Sequence, residues 1–274
     1  MMDRLAVIGD PVGHSLSPQI HMTWIDGLGM DASYESIRVP AGETADALER
    51  FAQNSFRGLN VTLPHKQAVV ESASDLSPAV KVIGAANTLS RKPDGTWRAD
   101  NTDAPGLMSA LSRINVRDVA GKTVLVLGAG GAARAALYAL DEAGAGLIVL
   151  NRTVEKAEKV IDSCCQRSHE YGSLADMEQY ARKADLIINT TSAGYTGEHF
   201  HLPQGDGRLF FDISYGKPAA AQLDHASECG WRAEDGLGML VCQAAESFRI
   251  WFGGELPDIE PALAVCRETL KSYQ

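Results

Sequence analysis

Six residues constrain this chain more than any others: Gly128-Ala129-Gly130-Gly131-Ala132-Ala133, which follow the apolar run Val124 to Leu127 and open an alanine-rich helical stretch. This is a G-x-G-x-x-A turn in its strand-turn-helix setting. The glycines allow a tight turn and let the backbone approach a ligand closely. The free N–H groups and the positive helix end attract a pyrophosphate. Gly128, Ala129, Gly130, Gly131 and Ala132 are therefore candidate dinucleotide contacts, with an unliganded tight turn as the alternative.

The periodicity around this turn continues the same theme. Thr123 to Leu127 predicts a strand, Ala132 to Ala143 a helix, Leu147 to Leu150 a strand and Val154 to Cys164 a helix. Strands at Leu186 to Asn189, Leu209 to Ile213 and near Trp231 complete a doubly wound pattern. Upstream, strands are expected at Leu5 to Ile8, Tyr34 to Val39 and Leu59 to Leu63. Helices are expected from Ser17-Pro18 to Gly29, at Thr44 to Phe51 and at His65 to Val70. Lys92-Pro93-Asp94-Gly95, between Asn87 to Ser90 and Thr96 to Ala99, signals a hairpin. A helix from about Ala104 to Ile114 links the halves, and Leu240 to Phe252 and Pro261 to Tyr273 read as helices returning to the first half. The expected fold is α/β: a substrate domain of residues 1–103 plus 238–274 with a mostly parallel sheet, and a Rossmann-type domain of residues 104–237.

Where an NAD enzyme places an acid on the ribose hydroxyls, about 20 residues past the turn, this chain has Asn151-Arg152-Thr153 and then Lys156. A carboxylate there would repel a phosphate. Arg152 can pair with a 2'-phosphate, Thr153 can donate a hydroxyl and Lys156 adds charge one helical turn on. The expected cofactor is NADP. A solvated Arg and Lys at a helix start is the plain alternative.

Charge and composition narrow the partners. A net charge of -10 disfavours non-specific nucleic-acid binding, so a small molecule is the expected partner. No apolar run approaches the ~20 residues of a membrane span, and the start of the chain does not read as a signal peptide. The five cysteines, Cys164, Cys165, Cys229, Cys242 and Cys266, lack a Cys-x-x-Cys spacing and read as reduced thiols in the cytoplasm. His199 and His201 have no evident third ligand in the sequence, so no metal is expected and the pair reads as a polar loop.

Hydride transfer to a ketone builds negative charge on oxygen, so a proton donor or cation is needed there. Tyr138, Tyr171, Tyr180, Tyr195 and Tyr215 lack a lysine four residues on, so a lysine or histidine must serve. Gly58-Leu59-Asn60-Val61-Thr62-Leu63-Pro64-His65-Lys66 resembles the signature of shikimate dehydrogenases. Gly9-Asp10-Pro11-Val12-Gly13-His14-Ser15-Leu16-Ser17-Pro18, Gly84-Ala85-Ala86-Asn87-Thr88, Asp100-Asn101-Thr102-Asp103, Asn151-Arg152-Thr153 and Asp235-Gly236-Leu237-Gly238-Met239-Leu240 follow in that family's order.

The resemblance implies catalysis by Lys66 and Asp103 on shikimate or 3-dehydroshikimate, with NADP as cofactor. It implies that Ser15, Ser17 and Tyr215 lie on the substrate carboxylate, and that Thr62, Asn87 and Gln243 lie around the ring hydroxyls. Ile213, Gly236 and Met239 fall on the nicotinamide side. It further implies two α/β domains facing across a cleft. Ser17 also suits a helix cap, and Asn60 suits a strand-end hydrogen bond as well as a ligand. Two departures touch substrate preference: Ala104-Pro105 stands where the family often has Gly after the aspartate, and Ala86 where it often has Val. Sister readings are a quinate/shikimate or aminoshikimate dehydrogenase. A glutamyl-tRNA reductase-like protein would need a cysteine before Cys164, and an NADP-binding sensor would not need Lys66 and Asp103. The chain is expected to act as a monomer or homodimer.

Overall fold

The computed structural model describes residues 2–272; Met1, Tyr273 and Gln274 lie outside the described residues, and with them the expected helix end at Tyr273. In chain order the elements are β1 (Asp3–Gly9), α1 (Ser17–Gly27), β2 (Ala32–Arg38), α2 (Thr44–Gln53), β3 (Phe56–Val61), α3 (Ala68–Ser72), β4 (Asp75–Leu76), α4 (Pro78–Ile83), β5 (Thr88–Arg91), β6 (Trp97–Asp100) and α5 (Asp103–Arg113). There follow β7 (Thr123–Leu127), α6 (Gly131–Glu142), β8 (Gly146–Asn151), α7 (Val154–Cys164), β9 (Glu170–Ser173), α8 (Met177–Ala181), β10 (Leu186–Asn189), β11 (Leu209–Asp212), α9 (Lys217–Glu228), β12 (Arg232–Glu234), α10 (Leu237–Phe252) and α11 (Glu260–Ser272). Two compact units result: one built from the chain up to Gly106 and again from Leu240 onward, the other from Leu107 to Met239.

The first unit carries a six-stranded sheet in the order β2-β1-β3-β5-β6-β4. β1 runs parallel to β2 and β3, while β5 is antiparallel to both β3 and β6. The antiparallel step is the Lys92–Gly95 turn, where Gly95 adopts a left-handed φ of 84° and the Lys92 N–H donates to the Thr96 carbonyl at 2.8 Å. Ile8, Leu59, Val61, Leu89 and Ala99 fill one core with Leu48, Phe51 and Trp97. α10 covers β3 and β5: Trp251 donates its indole N–H to the Leu89 carbonyl at 2.9 Å, and its ring occupies the space a side chain at Gly58 would need.

In the second unit all six strands are parallel, ordered β12-β11-β10-β7-β8-β9. Side chains alternate between two layers, as the period of two demands. Val124 and Val126, Leu147 and Val149, Leu186 and Ile188 face one core, while Leu125 and Leu127, Ile148 and Leu150, and Ile187 face the other. The order reverses between β7 and β10, the point at which such sheets open a ligand crevice beyond the strand ends. Among the described residues no helix is long and apolar enough to cross a membrane.

Local differences from the sequence reading have physical causes. Residues 63–67 form turns, so Lys66 precedes α3 instead of lying within a His65–Val70 helix. At α1 the cap position is Leu16, without a side-chain bond, and the Ser17 N–H donates instead to Ser15 Oγ at 3.3 Å. α4 falls where the sequence reading places no element, although it carries Ser77 as cap, Pro78 in its first turn and Gly84 in left-handed conformation at its end. β9 is an edge strand without an apolar run, and α9 buries only Ala219, Gln222 and Ala226, so neither shows an apolar periodicity.

Candidate active site

In the first unit the C-terminal ends of β1 and β3 lie side by side and place two loops together. The Asp10 N–H donates to the Leu63 carbonyl at 2.9 Å. Only glycine fits at position 9, because a side chain there would run into Thr62. Arg38 pairs with Asp10 at 2.7 Å and holds its carboxyl below the ordinary aspartate value. The half-buried Ser15 and Thr62 lie on these two loops, and the buried Ser17 opens α1 directly after the first of them.

The turn that carries Lys66 is anchored on both sides. His65 is 1% exposed; its Nε2 donates to the Val39 carbonyl at 2.7 Å, so its Nδ1 accepts from Thr44 at 2.9 Å. The Lys66 carbonyl accepts the Ala86 N–H at 2.8 Å. Asp103 is the first residue of α5, whose Ala104 N–H is accepted by Asn101 Oδ1 at 3.2 Å, so the capping role falls to Asn101.

Between these anchors Lys66 Nζ donates to Asp103 Oδ2 at 2.6 Å, with side-chain exposures of 18% and 7%. The pair is shielded from bulk water, yet the ammonium keeps an open side. Asn87 Nδ2 lies 2.8 Å from Asp103 Oδ1, 3.0 Å from Gln243 Oε1 and 2.9 Å from Thr102 Oγ1, and the Thr102 N–H returns to Asn87 Oδ1 at 2.7 Å. Lys66, Asn87, Asp103 and Gln243 thus form one network.

Ser247, on the same α10 face as Gln243, extends this network and was not singled out in the sequence. It is fully buried and lies 2.9 Å from Asn60 Nδ2, 2.8 Å from Thr88 Oγ1 and 3.1 Å from Thr102 Oγ1. Asn60 in turn accepts from Tyr34 at 2.7 Å and bonds His21 at 3.2 Å, so its side chain is wholly spent inside the protein. Only the spacing of four from Gln243 could have hinted at Ser247. Ser247→Ala takes away the shortest acceptor of Asn60 Nδ2, leaving the Asn87 carbonyl at 3.1 Å and only a long 3.4 Å contact to Thr88 Oγ1, and is expected to cost about 1 kcal/mol; urea unfolding measures it, and an unchanged midpoint would refute the role.

In the second unit Gly128 takes a left-handed φ of 107°, and a Cβ there would stand 2.7 Å from Thr190 Oγ1. Gly130 caps α6 without any side-chain bond, and a Cβ built on it meets nothing within 4 Å. The helix start is uncapped, open and free of acid in its first turn, with Ala129 and Ala132 half-buried and Gly131 first in α6. These features fit a pyrophosphate. At the end of β8, Asn151 Nδ2 donates to the Thr153 carbonyl at 2.9 Å, shaping the turn on which Arg152, Thr153 and Lys156 are all exposed. Among the described residues no ion pair engages Arg152 or Lys156.

The end of β11 is locked by Asp212, another residue the sequence did not single out. It accepts from Asn189 at 2.7 Å and from the Ser214 N–H at 2.8 Å, and burial pushes its carboxyl above the ordinary range despite these bonds. Half-buried Ile213 and Tyr215 flank Ser214. The Gly236 N–H donates to the Ser214 carbonyl at 2.9 Å, and a side chain at 236 would collide with Ile213. Met239 is 7% exposed and packs in the unit's core.

Asp141, Cys165 and His169 also approach each other, with potential ligand atoms within 4.8 Å. The polar positions of His169 and Asp141 are already taken. The Leu147 N–H occupies His169 Nδ1 at 3.2 Å, so Nε2 donates to Asp141 at 2.8 Å, while Arg167 and the Gln166 N–H fill the remaining carboxylate positions at 2.9 and 2.7 Å. Burial and the neighbouring carboxylate push the Cys165 thiol up to about 12. The cluster clamps the segment before β9 onto the end of α6.

A doubly wound domain with an open glycine turn, joined to an α/β unit with a shielded lysine-aspartate pair, defines a nicotinamide-dinucleotide-dependent oxidoreductase. The sequence matches the family described as shikimate dehydrogenase substrate binding domain over residues 7–89, shikimate / quinate 5-dehydrogenase over 110–227 and shikimate 5'-dehydrogenase C-terminal domain over 236–267. It is 44% identical over 272 residues to the shikimate dehydrogenase (NADP(+)) of Hyphomonas neptunium, covering 99% of each chain. It is 41% identical to that of Xanthomonas euvesicatoria, covering 97% and 96%. The crystal structure of the Thermus thermophilus shikimate 5-dehydrogenase in complex with NADP(H) and shikimate matches with a TM-score of 0.86 at 34% identity, over 97% and 99% of the two chains. The chain belongs to the shikimate dehydrogenase family.

Proposed function

We infer that this chain catalyses the reversible reduction of 3-dehydroshikimate to shikimate with NADPH, a step of the route to chorismate and the aromatic amino acids. The observation that carries the chemistry is the 2.6 Å Lys66–Asp103 pair inside the Asn87–Thr102–Gln243 network. Bound NADPH supplies the hydride. Lys66 Nζ donates a proton to the oxygen that becomes an alkoxide and takes one back in the reverse direction. Asp103, held by Asn87, orients that ammonium and accepts a ring hydroxyl. Thr62, Asn87 and Gln243 bind further hydroxyls, and Ser15, Ser17 and Tyr215 bind the carboxylate.

On the dinucleotide side Gly128, Ala129, Gly130, Gly131 and Ala132 cradle the pyrophosphate, while Asn151, Arg152, Thr153 and Lys156 read the 2'-phosphate. Ile213, Gly236 and Met239 shape the nicotinamide wall, Met239 by packing behind it. All these residues come from one chain, which suits action as a monomer or homodimer. An acidic protein with five free cysteines suits small-molecule chemistry in the cytoplasm.

Initial rates on shikimate and quinate, each with NADP and NAD, test the assignment. Strong preference for shikimate with NADP is expected; preference for quinate or NAD would move the chain to a sister activity, and no turnover with any pair would overturn the reading. Arg152→Ala removes a charge-assisted contact of about 1.5–3 kcal/mol. It should raise KM for NADP by roughly 10–100-fold and leave KM for NAD nearly unchanged. An equal effect on both dinucleotides would refute the phosphate-reading role.

A further inference from the structure

Four side chains in the second unit, none of them used above, converge at one place. His199 and His201 lie two residues apart in the segment leading to β11. His225 and Cys229 stand four residues apart, in the last turn of α9 and at its cap. The third ligand missing beside His199 and His201 in the sequence is therefore supplied by a helix some two dozen positions on.

The rings face one another, but their ligand atoms have not converged to within 4.8 Å as those of Asp141, Cys165 and His169 have, so holding one ion requires the imidazoles to rotate inward. Ring centroids are 5.6 Å apart for His199 and His201, 5.8 Å for His201 and His225, and 6.0 Å for His199 and His225. Cys229 Sγ lies 3.8 Å from His225 Nε2. A tetrahedral zinc with Zn–N of about 2.0–2.1 Å and Zn–S of about 2.3 Å requires ring centroids about 5 Å apart and a nitrogen-to-sulfur distance of about 3.6 Å. Each observed separation lies within about 1 Å of these values. His199 and His201 are exposed, so their side chains turn freely. His225 Nε2 is engaged by the Leu202 N–H at a long 3.3 Å, a contact readily exchanged for a metal bond.

We propose that His199, His201, His225 and Cys229 bind one first-row transition-metal ion, zinc above all. Three imidazoles and a thiolate select zinc or cobalt over magnesium or calcium, which take oxygen ligands. Here, unlike at Asp141, no arginine occupies the ligand positions among the described residues. The ion ties the segment after β10 to α9, two stretches already in contact where Gly194 packs against the Pro218 carbonyl. It acts as a brace at the end of α9 that leads into β12, away from the C-terminal strand ends, and not as a participant in hydride transfer.

The test is a zinc titration of chelator-stripped protein against a chromophoric zinc indicator. One equivalent is expected to bind with a Kd of about 1 μM or tighter, and His225→Ala and His199→Ala are each expected to weaken it by tenfold or more. Cobalt in place of zinc should give a thiolate-to-cobalt charge-transfer band that disappears in Cys229→Ser. Circular dichroism of the stripped variants, expected to match wild type, reports folding independently of activity. Absence of stoichiometric binding overturns the proposal. So does binding that survives His225→Ala but is lost in Cys165→Ser, which would place the ion at Asp141.

Discussion

Lys66→Ala is expected to lose about 10³-fold in kcat with shikimate and NADP while retaining its fold. General acid-base catalysis by a positioned side chain contributes about 10²–10⁴-fold, and Lys66 is the proton-bearing group that the 2.6 Å bond to Asp103 holds at the network's end. The deletion leaves Asp103 accepting from Asn87 at 2.8 Å, so the carboxylate is not stranded and the site keeps its shape. KM for shikimate is expected to change far less than kcat, because the hydroxyl-bearing and amide groups remain. Lys66→Arg separates charge from proton transfer: guanidinium restores a cation beside Asp103 but holds its protons too tightly to deliver one. Recovery by arginine would make Lys66 an electrostatic group only, and wild-type turnover in Lys66→Ala would remove it from the mechanism.

The second large effect is on stability in acid, and it comes from His21. This ring is 0% exposed and stacks on Tyr34 at 4.3 Å, with Trp24 and Trp251 at 5.5 and 5.3 Å. Its Nε2 bonds Asn60 Oδ1 at 3.2 Å, an oxygen that also accepts from Tyr34, so Nε2 carries the hydrogen; Nδ1 is buried with no hydrogen-bond partner. A proton on Nδ1 would bury a charge among aromatic rings, and burial accordingly lowers the histidine from its ordinary 6.5 to about 3. The unfolded chain takes up a proton near pH 6.5 and the folded chain does not until about pH 3. Stability therefore falls as pH drops through that window, by about 1.4 kcal/mol per unit and roughly 4–5 kcal/mol in all.

That is a large share of a typical total of about 5–15 kcal/mol. His21→Phe keeps the stacking and orphans nothing, since Tyr34 still donates to Asn60. Urea unfolding followed by tryptophan fluorescence, in which Trp24 and Trp251 report on this region, should show the variant's midpoint falling less steeply than wild type between pH 6.5 and about 4.5. Parallel slopes would mean that His21 is not held neutral.

Much of this was legible in the sequence because it is local. The Gly128 turn, the strands around it and the absence of an acid at the end of β8, where Asn151-Arg152-Thr153 stands, depend on neighbours within one supersecondary unit, where glycine freedom, strand period and helix polarity act directly. Lys66 and Asp103 could be paired from the sequence only through the family resemblance; nothing in their spacing, 37 positions, shows the contact itself. Their contact arises only when β3 and β6 enter one sheet and α5 starts beside the Lys66 turn. Ser247 became visible only once α10 returned over β5, and His225 only once α9 packed beside the segment that holds His199. The sequence by itself determined the elements that carry an apolar period, the dinucleotide turn and the chemical inventory, because those follow from propensity and spacing along the chain. Which buried polar groups share a hydrogen bond, and which histidine stays neutral, only the tertiary structure decided, because burial and partner geometry come from residues far apart in the chain.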